Sequence, residues 1–340
     1  MKKVIIIAEA GVNHNGSLEL AKQLIDAAAE AKADYVKFQT FKADKLVSKK
    51  AEKAAYQKNN TDKQEETQFA MLKKLEIPNE WHFELIEYAK SKNIVFVSTG
   101  FDEESIDFLD SIGIPFIKIP SGEITNKPYL KHVASKKKPI ILSTGMATLI
   151  EIKEAVEVLL ENGVVKNDLS VLHCNTEYPT PFKDVNLLAM LQIQKEIGVE
   201  IGYSDHTLGI EVPIAAVALG AKIIEKHFTL DKSMSGPDHA ASLEPNELKA
   251  MVIAIKNIEK AISGDTQKKP SESEIKNMVI ARKSIHLKNA VKAGQIISLN
   301  DMEMKRPGDG ISPMQVDEIV GSVSVKDLPG EHKLLKTDLL

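Results

Sequence analysis

Lysines, histidines and short polar side chains recur in this 340-residue sequence at one kind of position, the C-terminal end of a short apolar run. The first run ends in Glu9 and leads into Asn13-His14-Asn15-Gly16. The second carries Lys37 and Gln39, the third Ser98 and Thr99, the fourth Lys118, Ser121 and Glu123, the fifth Ser143 and Thr144. The sixth ends in His173, Asn175, Thr176, Glu177 and Tyr178, the seventh in Ser204, Asp205 and His206, the eighth in Glu225, Lys226 and His227. Polar groups inside apolar runs are costly unless paired or solvated, so their gathering at one end of every run argues for a site. Two lysines among hydroxyl and amide donors suit a small, multiply charged anion, such as a phosphate that also bears a carboxylate. The sequence has no glycine-rich phosphate loop, so side chains and nearby backbone N–H groups would hold that anion.

His206 and His227 close adjacent runs. Two imidazoles, completed by water and a substrate oxygen, suit manganese or another borderline divalent ion better than calcium. Either histidine alone would read as a strand-capping hydrogen-bond donor; two at equivalent positions favour a shared ion. Lys37 or Lys118 alone could snorkel to solvent. Glu9 fits both a satisfied buried carboxylate and a general acid/base. Cys174 reads as a buried small hydrophobe, since no basic neighbour is evident.

These residues need a scaffold that brings eight run ends together. The runs cover 4–10, 34–40, 94–100, 116–122, 139–145, 169–175, 200–206 and 221–229. Helical patterns over 18–32, 79–92, 103–112, 150–161, 184–197 and 247–262 alternate with them, and 212–219 reads as a further buried helix. Eight strand–helix units predict a (β/α)8 TIM barrel of α/β class, whose active site lies at the C-terminal strand ends. An open doubly wound sheet is the rival, but it does not require eight units and no GxGxxG follows the first run. The barrel pattern stops near Ser263. The polar, proline-containing stretch 264–281 reads as a linker, leaving 282–340 as a small independent domain.

A hydrophobic content of 43% with 27% charged residues is that of a globular protein with a large core. The net charge of −4 provides no footprint for nucleic acid. One cysteine precludes an internal disulfide and fits a reducing, cytoplasmic compartment. The apolar run after Lys3 stops at Glu9, too short for an export signal, and no stretch reaches membrane-spanning length.

Taken together, AEAGVNHNG (8–16), VKFQTFKADKLVS (36–48), IPSGEITN (119–126), ILSTGMAT (141–148), LHCNTEYPTPF (172–182), GYSDHT (202–207), IEKHFTLDKSMSGPDH (224–239) and KRPGDGISP (305–313) closely resemble the bacterial sialic-acid synthase family. The resemblance implies condensation of phosphoenolpyruvate with an open-chain N-acetylated hexosamine, releasing phosphate. It implies a metal, manganese before magnesium or cobalt, on His206 and His227. It assigns phosphoenolpyruvate contacts to Lys37, Thr99, Lys118, Ser121, Ser143, Ser204 and the Asn175-Thr176 pair. Sugar contacts fall on Gln39, Glu123, Tyr178 and Asp238, and Glu9 falls near the reacting centre. The C-terminal segment resembles an antifreeze-protein-like (SAF) domain, from which Arg306 would enter the partner's barrel in a domain-swapped homodimer.

Two departures stand out: Gly100 replaces the proline of many members, and Asn175-Thr176 replaces Thr-Asn or Thr-Thr. The segment 51–67 should carry another sugar contact, and Asn60 is one candidate. The first reading of the sugar is N-acetylmannosamine, making the chain an N-acetylneuraminate synthase. A legionaminic-acid synthase using 2,4-diacetamido-2,4,6-trideoxymannose shares every motif. A non-catalytic sugar- or carboxylate-binding barrel is the alternative of another class, and it would not need both lysines and both histidines. Proton transfer is expected from Glu9 or Glu123.

Overall fold

Period-two alternation gives each apolar run two faces. The computed structural model of the chain, which describes residues 3–61 and 67–340, puts those faces to different uses. The strands are β1 (Ile5–Gly11), β2 (Tyr35–Thr40), β3 (Val95–Gly100), β4 (Ile117–Ile119), β5 (Ile140–Ser143), β6 (Leu169–Cys174), β7 (Glu200–Asp205) and β8 (Ile223–His227). They form one parallel sheet in the order β3-β2-β1-β8-β7-β6-β5-β4, and β3 packs beside β4 at the seam. This is the (β/α)8 barrel expected from the alternation.

Six expected helices form with ends shifted by a residue or two: Leu18–Glu30, Asn79–Ser91, Glu103–Ser111, Leu149–Glu161, Glu211–Ala218 and Pro245–Ala261. The pattern over 184–197 becomes helical only at Ala189, because Phe182–Asp184 forms a 3-10 turn after Pro181. Lys127–Ser135 is an additional helix. Its start is marked by Asn126, whose side chain accepts from Tyr129 N, and by Pro128 in the first turn. Among the described residues no helix is long and apolar enough to cross a membrane.

The barrel interior is layered. Ile7, Val97, Phe116, Ile141, Leu172 and Ile223 point inward and fill the lower part. Two residues further along the same strands come Glu9, Thr99, Lys118, Ser143, Cys174 and Glu225, which line a cavity at the C-terminal ends. Alternate residues such as Ile6, Phe38, Ile119, Leu142 and Ile224 face outward and bury against the helices. At Gly202 a Cβ would come within 2.5 Å of the Ile223 carbonyl and Leu172 Cδ2, so only glycine lets β7 close against β8 in the lower layer. The loops after β1 and β8 are tied together. Asn13 Nδ2 donates to the Phe228 carbonyl (2.8 Å) and to Ser242 Oγ (3.0 Å), and Asn15 Nδ2 donates to the Ser235 carbonyl (3.0 Å).

The chain divides into two compact units, Met1–Ser263 and Gly264–Leu340. Within the second, the stretch read as a linker corrects itself in part: Glu272–Ala281 is a helix, started by a capping box between Ser271 and Glu274 that compositional polarity concealed. An antiparallel pair, β9 (Ser284–Leu287) with β10 (Met302–Lys305), anchors a small core of Ile285, Leu287, Val291, Ile297, Met302, Ile311, Leu328 and Leu334.

Candidate active site

Register places the first row of chemistry. Glu9 on β1 is flanked by Lys37 on β2 and His227 on β8, and Ser204 on β7 lies beside Glu225 on β8. All point into a cavity of about 480 Å³ at the barrel's C-terminal end, together with Gln39, Thr99, Lys118, Ser121, Ser143, Thr176, Tyr178 and His206. Lys37 Nζ donates to Thr99 Oγ1 at 2.7 Å and lies 2.7 Å from Glu9 Oε2 and 3.6 Å from Glu225 Oε2. Lys118 Nζ donates to Ser143 Oγ at 2.7 Å and lies 3.5 Å from Glu225 Oε1, which also accepts from Ser204 Oγ at 3.0 Å.

Glu225 is thus the carboxylate between the two lysines, a role no spacing argument revealed. Burial acts to raise its pKa, but Lys118 and Lys37 outweigh burial and hold it ionised. Burial raises Glu9, with Lys37 opposing and the Glu225 charge adding to the rise. Despite the close Lys37–Glu9 contact, burial prevails and the Glu9 pKa rises to about 7. Burial also acts on the lysines. At Lys37 the two carboxylates more than offset it, so its pKa rises; at Lys118 burial prevails over Glu225 and its pKa falls. Two ammonium groups, one firm carboxylate and one carboxyl able to hold a proton leave a surplus of positive charge, which suits an entering anion.

His206 and His227 face one another with ring centroids 5.3 Å apart. His206 Nδ1 donates to the Asn175 carbonyl, which leaves Nε2 as the lone-pair nitrogen, and its ring packs 4.1 Å from Tyr178. His227 Nδ1 is buried without a hydrogen-bond partner. Burial lowers His206 to about 4 against the pull of the Asn175 carbonyl, and burial, then the neighbouring His206, lowers His227 well below an ordinary histidine. Two neutral, closely set imidazoles fit a divalent cation. Among the described residues no three His, Cys, Asp or Glu side chains are grouped so as to hold a metal ion by themselves, so the remaining ligands would be water and substrate.

Three residues expected in the site turn away from the cavity. Glu123 sits in the turn after β4 and accepts from Asn126 Nδ2 at 2.6 Å, outside the cavity lining. The Asn175 side chain donates to the Asp184 carbonyl at 2.9 Å, so of the Asn175-Thr176 pair Thr176 faces the cavity. Asp238 lies behind His227, its Oδ2 3.8 Å from Nδ1, with a pKa pushed up to about 7 by burial. Arg306 belongs to the second unit, where its Nε donates to the Ala281 carbonyl at 2.9 Å. In the segment 51–67, residues 62–66 lie outside the described residues; Ala54 and, beyond it, Gln68 line the cavity, while Asn60 donates to the Pro237 carbonyl at 2.9 Å. Cys174 is a buried thiol at the cavity wall, 3.2 Å from Ser121 Oγ and raised by burial.

The NeuB family model matches residues 24–268 and the SAF domain model residues 282–331. The chain is 55% identical to the N,N'-diacetyllegionaminic acid synthase of Campylobacter jejuni, over 96% of this chain and 97% of that one. It is 53% identical to the N,N'-diacetyllegionaminic acid synthase of Legionella pneumophila, over 93% and 89%. The crystal structure of the N-acetylneuraminic acid synthetase from Leptospira borgpetersenii, in complex with citrate, superposes with a TM-score of 0.70 at 35% identity, covering 82% of this chain and 90% of that one. Matched by the NeuB model over most of its barrel and by such synthases along nearly its whole length, the chain belongs to the NeuB family, the sialic-acid-type synthases, and is a carbon–carbon bond-forming transferase.

Proposed function

We propose that the enzyme is an N,N'-diacetyllegionaminic acid synthase. It joins phosphoenolpyruvate to open-chain 2,4-diacetamido-2,4,6-trideoxymannose and releases phosphate. The observation that carries this reading is the 55% identity, end to end, with the Campylobacter synthase. It moves N-acetylmannosamine, the sugar that motifs alone put first, to second place.

The lysine–carboxylate set suits the anionic substrate. Lys37 and Lys118, with Thr99 and Ser143 donating beside them and Ser204 bracing Glu225, bind the phosphate and carboxylate of phosphoenolpyruvate. Glu225 holds both lysines in place from below. A divalent cation, manganese by preference, held by His206 and His227, would supply Lewis-acid polarisation of the sugar aldehyde. Carbon 3 of the enol phosphate attacks the aldehyde carbon, water adds at carbon 2, and the carbon–oxygen bond to phosphate breaks. Glu9, inside the cavity and able to hold a proton at neutral pH, transfers protons at this centre; Glu123 stands outside it. Gln39 and Tyr178 reach the sugar. Arg306 contributes from the partner in a domain-swapped homodimer. The single thiol fits a cytoplasmic enzyme.

Phosphate release with manganese, compared between the two sugars, tests the reading. Higher kcat/KM with the diacetamido sugar is expected. Higher kcat/KM with N-acetylmannosamine would restore the first reading, and no release with either would overturn both.

A further inference from the structure

The outward face of the barrel wall is apolar almost throughout, and one ion pair interrupts it. Asp205 on β7 and Lys226 on β8 are cross-strand neighbours, both with side chains 0% exposed. Lys226 Nζ donates to Asp205 Oδ2 at 2.5 Å and also to the Thr207 carbonyl. Asp205 in turn accepts from Thr207 N at 3.1 Å and from Thr207 Oγ1 at 3.0 Å. The lysine preceding His227 therefore grips the residues on either side of His206. A fully buried ion pair adds little net stability, since well-packed apolar residues usually do as well, so its presence here calls for a geometric role.

We propose that Lys226 is a positioning residue: by fixing residues 205 and 207 from β8, it sets the His206 ring against His227. The chain leaves the sheet after Asp205; beyond it Thr180 N donates to the His206 carbonyl at 2.9 Å, and Lys226 adds the hold from β8 on both flanking residues. This rests on the reading that the two imidazoles share a cation. Lys226 makes no contact with the cavity, so the lysine pair that binds phosphoenolpyruvate is independent of it.

The test is the double variant Asp205→Asn/Lys226→Met, which removes both buried charges together. Manganese affinity is measured by electron paramagnetic resonance of the free ion, phosphoenolpyruvate affinity by calorimetry on metal-free enzyme, and ring positions by crystallography. The expected result is a folded protein with phosphoenolpyruvate affinity within about threefold of the parent, manganese affinity weakened roughly 10- to 100-fold, and the His206 ring displaced from its 5.3 Å spacing. Retained ring spacing in the folded variant, or equal loss of both affinities, overturns the proposal. Should the parent enzyme bind no manganese, the cation reading falls, and ring displacement alone still decides the role of Lys226. Asp205→Asn alone keeps the Lys226–Thr207 contact; it is expected to show a smaller loss of the same kind and decides the question if the double variant does not fold.

Discussion

Glu225 Oε1 lies 3.5 Å from Lys118 Nζ, with both side chains shut away from bulk water. Its other oxygen faces Lys37, so one carboxylate balances two ammonium groups. Removing one partner of a buried charge set leaves the rest uncompensated, at a cost of about 3–5 kcal/mol. Glu225→Gln is therefore expected to lower the unfolding free energy, read from urea titration, by an amount of that order. Phosphoenolpyruvate replaces part of the lost charge, so it should raise the melting temperature of Glu225→Gln more than that of the parent. A smaller ligand-induced rise in the variant would contradict charge balancing.

Glu9 carries the opposite consequence. Burial raises its pKa, so the folded state keeps the proton to a higher pH than the unfolded chain. Its contribution is most favourable below the ordinary carboxylate value of 4.5 and is lost as pH climbs through the raised folded value. Glu9→Gln is neutral at every pH. Its stability relative to the parent should rise between about pH 5 and 8, measured as the difference in urea midpoints. A constant difference across that range would mean that Glu9 is ionised throughout.

Protonation of the two imidazoles should not limit metal affinity in the neutral range. Ligating imidazoles must be unprotonated, and burial already keeps His206, at about 4, and His227, lower than usual, neutral. In a Glu9→Gln/Asp238→Asn background, where these neighbouring carboxyls no longer titrate, manganese affinity is expected to stay flat from about pH 6 to 8, whereas exposed histidines would titrate near 6.5. His206→Ala and His227→Ala should each abolish binding at any pH in that range. A steep rise in affinity with pH in that background would sink the account of the pair as buried neutral ligands.

In the second unit, Asp338 is buried and gathers donors. Its Oδ2 accepts from His332 Nε2 and Leu335 N, each at 2.9 Å, and its Oδ1 lies 2.8 Å from Lys326 Nζ. Burial opposes its charge, but these partners hold its pKa at about 2, below the ordinary 3.8. The stabilisation, about 2 kcal/mol, is present above the ordinary value and is lost as pH falls through the folded one. Pepsin should therefore cut 282–340 faster in full-length Asp338→Asn than in the parent at about pH 4. The gap should close near pH 2; a gap that persists there would point to lost packing instead of lost charge.

The sequence by itself determined the barrel and the cast of the site. Strand and helix have different hydrophobic periods, so eight alternations were countable. Polar residues at apolar run ends were conspicuous because burial there is costly. Lys37, Lys118, Thr99, Ser143, Ser204, His206 and His227 all meet in one cavity, as their positions implied. A linear sequence could not show which polar residue at each strand end faces inward. By position along the run, Ser98, Asp205 and Lys226 stood equal to Thr99, Ser204 and Glu225 until the closed barrel turned alternate residues to opposite sides. Nor could it show that Glu225 falls between lysines from β2 and β4, that Glu123 turns away toward Asn126, or that Asn175 offers His206 its carbonyl and not its side chain. Those relationships join residues tens of positions apart through register and strand tilt. Coulomb and hydrogen-bond energies depend on ångström separations that only the assembled barrel sets.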